Sequence, residues 1–152
     1  MGDGVCMDMM TIRKMVMAQM AKGAEYITGT FTVPDSGSSY VIYFGKTLER
    51  YIFLIEATDE SKTAIMESGI NGTKSFAFIG IYPRLSIDTY NANFNGTYAR
   101  INPSTKEMSS IVATNVDPTA SSIGFNVNSL ADGSSVIFRG LTYKYTIIEL
   151  KD

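Results

Sequence analysis

Three carboxylates crowd one short stretch of the chain, Glu56, Asp59 and Glu60. Paired carboxylates facing each other across a cleft are the machinery of glycoside hydrolysis, one serving as acid and the other as base or nucleophile. Here they flank Thr58-Asp59-Glu60-Ser61-Lys62, a run of turn formers in which a solvated loop accounts for them. Asp59-Glu60-Ser61 is also too sparse in oxygen ligands for a calcium loop. Serine and threonine are plentiful, but a hydroxyl nucleophile needs a base, and the chain contains no histidine. Histidine triads, histidine-containing zinc sites and histidine pH switches are therefore excluded. There is no G-x-S-x-G elbow and no Ser-x-x-Lys opening a helix. In Gly69-Ile70-Asn71-Gly72-Thr73-Lys74 the glycines are wrongly spaced for a phosphate loop. The expectation is a protein that is not an enzyme and takes no metal or cofactor.

Tyrosine offers a different chemistry. The chain has nine tyrosines and eight phenylalanines but no tryptophan, and an exposed tyrosine presents a rigid face and a hydroxyl suited to stacking on sugars or to protein contact. Tyr90 and Tyr98 flank an Asn95-Gly96 pair, and Tyr82 lies before Pro83. These three are the candidate ligand-binding residues, against the plainer reading of half-buried strand tyrosines. Asn71-Gly72-Thr73 and Asn95-Gly96-Thr97 match the glycosylation acceptor pattern. Each, however, lies between two extended runs where Asn-Gly is the pair that a type I′ hairpin turn requires.

The elements that would position these residues are mostly strands. Asp8 to Lys22 reads as a helix, with Met9, Ile12, Val16 and Met20 at helical spacing and no Gly or Pro inside. Seven of the nine methionines fall in the first twenty residues, and Met10 and Met17 lie off that line, which widens the apolar surface. A helix of this length is marginal alone in water and must pack on something. It either covers its own domain or bundles with the same helix of other copies, using methionine's capacity to fill irregular gaps. Gln19 would interrupt a heptad seam at a core position.

After Gly23 the period changes to two: Ile27, Gly29, Phe31 and Val33 alternate with Thr28, Thr30 and Thr32. Extended runs recur at Tyr40–Phe44, Arg50–Ala57, Thr63–Ile70, Thr73–Tyr82, Leu85–Phe94, Thr97–Ile101, Met108–Thr114, Ser121–Val127, Ser134–Phe138 and Leu141–Leu150, with turn formers between them. The fold expected is mainly β. It is an antiparallel, jelly-roll-like sandwich of about nine to eleven short strands preceded by one N-terminal helix, with residues 1–24 an assembly or packing segment and 25–152 the sandwich. At 152 residues the chain can bury about 68–70% of its unfolded surface. Its single Cys6 makes no internal disulfide, so stability comes from packing or association.

Charge and hydropathy narrow the partners. The 13 basic and 15 acidic residues show no run of either sign, and Arg13-Lys14 is the nearest approach to a basic patch, so no nucleic-acid partner is expected. The longest apolar runs are five residues, against the ~20 that span a bilayer. Met15-Val16-Met17-Ala18 is ended by Gln19, short of the ~7–15 apolar residues of an export signal. Synthesis in a bacterial cytoplasm without a signal peptide, and no membrane partner, is the expectation.

The helix opening M-T-I-R-K-M (Met10 to Met15), the G-T-F-T-V strand (Gly29 to Val33), the Pro34-Asp35-Ser36-Gly37-Ser38-Ser39 loop and the G-L-T-Y-K-Y-T-I segment (Gly140 to Ile147) resemble small structural proteins of phages and prophages of gut bacteria, of tail-fibre, baseplate or receptor-binding type. The resemblance implies a symmetric, homotrimeric virion part. Its helix would join other virion proteins or its own copies, and its β head would face a host-surface glycan or protein. A carbohydrate-binding or adhesin-like module of a bacterial cell surface is the alternative. A glycan-cleaving enzyme, resting on the carboxylates alone, is a third.

Overall fold

Tyr51, Phe53, Ile55 and Ala57 alternate with less buried neighbours along β3 (Tyr51–Ala57), and each is almost wholly buried. A strand patterned in this way must lie inside a sheet with one face covered. In the computed structural model, which describes residues 9–68, 72–87, 92–112, 116–131 and 137–152, β3 is an interior strand of a six-stranded antiparallel sheet. Its other members are β1 (Tyr26–Thr32), β4 (Lys74–Ile87), β5 (Ala92–Ile101), β6 (Met108–Val112) and β10 (Thr142–Glu149), in the order β1-β10-β3-β4-β5-β6. The second sheet is β2 (Ser39–Tyr43), β8 (Ser122–Asn128) and β7 (Val116–Pro118), with β9 (Ile137–Phe138) joining β8 in parallel.

The two sheets share one core. Phe31 of β1 stacks on Tyr40 of β2 at 4.9 Å, and Tyr51 meets Phe44 edge-on at 5.2 Å. Two tyrosine hydroxyls tie the layers together. Tyr51 Oη donates to the Thr119 carbonyl at 2.7 Å, and Tyr143 Oη accepts from the Phe138 amide at 2.9 Å. Ten strands among the described residues, antiparallel but for the short β8–β9 pair, with an N-terminal helix, match the mainly β expectation.

Three local expectations are corrected. The stretch read as a polar turn followed by a strand over Thr63–Ile70 is a second helix, α2 (Asp59–Glu67). The Thr58 side chain caps it by accepting from the Ser61 amide, and Asp59 and Glu60 occupy the first turn, where the helix dipole favours anions. Only Ser61 and Ile65, one turn apart, are buried, which is why neither period stands out in the sequence. The strand Thr73–Tyr82 that Pro83 was expected to end continues through it to Ile87, across a register slip between Gly80 and Leu85 where the Tyr82-Pro83 peptide is cis.

Asn95-Gly96, finally, is not a turn. Both residues lie within β5, and Gly96 pairs with Gly80. Gly96 has φ +156°, and a Cβ there would collide with the Ile79 carbonyl and lie 2.5 Å from Phe78 Cζ. The glycine is needed for close approach to β4.

Candidate assembly surface

The N-terminal helix α1 (Met9–Ala21) is followed by a tight cap at Gly23, whose φ of +83° suits glycine; the Gly23 amide donates to the Met20 carbonyl and the Ala24 amide to that of Gln19. The helix lies over the outer face of the six-stranded sheet. Register explains why that face is apolar there, since Tyr26, Ile148, Ile52 and Ile81 stand side by side on four neighbouring strands, with Leu54 and Ile79 on the next outward rung of β3 and β4. Further along, the outward rungs turn polar, as Thr30 aligns with Lys144 and Glu56.

The helix is held lightly. Gln19 Oε1 accepts from the Lys151 amide at 2.7 Å, and Val16 and Gln19 alone among residues 10–21 are half-buried. Every other residue in that range is exposed, with Met17 at 62% and Met10 at 61%. Two clefts flank the helix. One of about 350 Å³ runs between Met15, Val16 and the Ile52, Ile148 and Leu150 side chains. The other, of about 290 Å³, lies between Arg13, Met17, Met20 and Tyr26.

Of the expected assembly line, Ile12 and Met20 are exposed and Val16 faces the domain, while Met9 begins the helix with its side chain outside the described residues. Gln19, which spoils a heptad on the sequence, is instead the latch to the domain.

The tyrosine candidates do not come together on a surface. Tyr98 is 4% exposed, packed against Phe78 at 5.2 Å with the Arg100 guanidinium 5.5 Å from its ring. Tyr82 is half-buried and stacks on Tyr51 at 5.2 Å. Tyr90 lies outside the described residues. The most exposed tyrosine described is Tyr43, on β2, at 76%. Comparison with known proteins gives no match. No family model, curated protein or solved structure is similar to the chain.

Of the three carboxylates, Glu56 and Asp59 line one recess with a lysine between them, and Glu60 is not part of it. Lys62 Nζ lies 3.9 Å from Glu56 Oε2 and 4.0 Å from Asp59 Oδ1, in a polar recess of about 250 Å³ shared with Lys144. Among the described residues no three acidic or cysteine side chains are grouped to hold a metal ion. The tyrosine hydroxyls of Tyr51 and Tyr143 are pushed well above their ordinary pKa, chiefly by burial. They serve as neutral hydrogen-bonding pins in the core.

Proposed function

We propose that this protein is a non-catalytic structural subunit that assembles with its own copies through α1 and the outer face of the six-stranded sheet. One observation carries the reading. Met10, Ile12, Met15, Met17 and Met20 are all 42–62% exposed on a helix of 13 residues, adjoining a sheet face where Tyr26, Ile52 and Ile79 are 40–50% exposed. Large apolar side chains exposed in this number on one helix and the sheet face beside it mark an interaction site on a folded protein. The resemblance of Met10–Met15, Gly29–Val33 and Gly140–Ile147 to phage structural proteins supplies the setting, a tail-fibre or baseplate component of a virion. Recognition of a host glycan draws no support from Tyr98, which belongs to the core.

The test is the mass of the full chain in solution. An oligomer that falls to the mass of one chain when Met17→Asp is introduced, with the β circular dichroism unchanged, supports the reading. A chain that is monomeric at every concentration overturns it.

A further inference from the structure

The open side of β1 carries unpaired main chain. The Val33 amide donates to the Leu141 carbonyl and the Glu149 amide to the Glu25 carbonyl, both at 2.9 Å. Residues that bond to the neighbouring strand alternate along an antiparallel ladder with residues that do not. Between those two bonds, then, Ile27, Gly29 and Phe31 turn their amides and carbonyls towards β10, while Tyr26, Thr28, Thr30 and Thr32 turn theirs away from it. β1 ends the sheet, these four residues are exposed, and no hydrogen bond from the described residues reaches their amides or carbonyls. Sheet edges on proteins that stay single are usually guarded by a lysine, a proline or a bulge. The β1 sequence Y-I-T-G-T-F-T has no charge and no proline, and its register with β10 is unbroken.

We infer that β1 of a second copy covers this edge, antiparallel, about a two-fold axis at Gly29 that joins the two six-stranded sheets into one. This rests on the assembly reading above and departs from the trimer that the resemblance implies. What points to a copy, rather than to an unrelated strand, is that the segment is complementary to itself. With the axis at Gly29, Thr28 faces Thr30 of the second copy and Tyr26 faces Thr32, so every open amide and carbonyl is paired. Threonine meets threonine on the outer face and Ile27 meets Phe31 on the covered one, both favourable cross-strand pairs, and no like charges are opposed. Gly29 meets Gly29 as a non-bonded pair, the type with the closest Cα approach, about 4.5 Å. Over that pair lie the Tyr145 phenols of both copies, each already leaning across its own glycine.

The flanking residues fix the register. Moving the axis to Thr28 would set Thr32 against Ala24, whose amide is already given to the Gln19 carbonyl. Moving it to Thr30 would set Tyr26 against Pro34, which has no amide to give. The axis stands perpendicular to the sheet, so α1 of both copies lies on the same face, and the cleft between Met17, Met20 and Tyr26 adjoins Thr32 of the second copy.

The experiment uses two full-length double variants at exposed positions, Thr28→Lys with Thr30→Lys and Thr28→Glu with Thr30→Glu. The native chain is expected to have the mass of an even number of copies. Each variant alone should fall to half that mass at dilutions where the native chain holds, and an equal mixture should regain it, because lysine then faces glutamate in each pair. Residue-resolved hydrogen exchange supplies a second readout. In the native oligomer the amides of Tyr26, Thr28, Thr30 and Thr32 should exchange as slowly as those of Gly29 and Phe31. Fast exchange at those four amides overturns the edge pairing while leaving assembly through α1 standing, and so does a mixture no heavier than the two variants apart. A native chain with the mass of one copy at every concentration overturns both readings, whether the four amides are open or are covered by some other strand.

Discussion

Gly29 of β1 and Tyr145 of β10 are directly opposed, and the phenol of Tyr145 lies over the glycine in the space a side chain would need. A Cβ at position 29 would sit 2.5 Å from Tyr145 Oη and 2.7 Å from its Cζ. Gly96 is hemmed in differently, because the atom its Cβ would strike is the Ile79 carbonyl oxygen, a backbone atom held in the β4·β5 ladder. A half-buried ring end can swing aside, whereas a paired backbone cannot. Gly29→Ala should therefore cost about 1 kcal/mol and Gly96→Ala about 3 kcal/mol or more. Denaturant midpoints of the two variants would check the order, and equal losses would contradict it.

Tyr143 and Tyr51 make the fold sensitive to alkali. Burial raises the Tyr143 hydroxyl pKa against the opposing effect of its hydrogen bond from the Phe138 amide; burial, then Tyr82 and then Asp117, raises that of Tyr51. The folded state thus keeps two protons that the unfolded chain releases near pH 10. Stability is full below that value and declines as pH rises above it. Urea midpoints should be flat from neutrality to about pH 9 and fall from about pH 10 upward, with a smaller fall in the Tyr51→Phe, Tyr143→Phe double variant. At neutral pH Tyr143→Phe should cost about 1–3 kcal/mol, since it strips the acceptor from the buried Phe138 amide.

Ser61 links α2 to the sheet as well as lying in its first turn. Its Oγ accepts from the Thr142 amide at 2.8 Å, and the residue is 4% exposed. Ser61→Ala should leave that amide unpaired and cost about 1–3 kcal/mol. Thr58→Ala, which removes the cap of α2, should cost about 1 kcal/mol. Hydrogen exchange at the Thr142 amide separates the two, because only the Ser61 variant removes its acceptor.

The strands with one covered face are the ones legible in the sequence. Residues 26–33 and 141–150 alternate because a core lies on one side, 51–57 reads as a central strand apolar on both faces, and β1, β3 and β10 fall within a residue or two of where those patterns place them. Helix α2 escapes because two buried positions are too few to print a period and its Thr58-Asp59-Glu60 start uses the same residues as a turn. Asn95-Gly96 misleads for a related reason. Glycine serves a close backbone approach as readily as a turn, and only the Gly80 partner on another strand tells which. Reading a turn there also misplaces Tyr98, whose side chain shares the inward rung of Phe78, Ile55 and Tyr145. As for α1, its methionines are visible in the sequence. Which flank is latched is not, because that depends on a bond from Gln19 to a residue 132 positions away.

The order of strands has a bearing on how the molecule is made. β1 has β10 as its one neighbour in the six-stranded sheet, and the seat of α1 is built in part from Ile148, Leu150 and Lys151. Until the ribosome has delivered β10, the first strand has no ladder to join and the helix has no latch. A nascent chain thus keeps its methionine helix untethered until β10 and the Lys151 amide that follows it have been made.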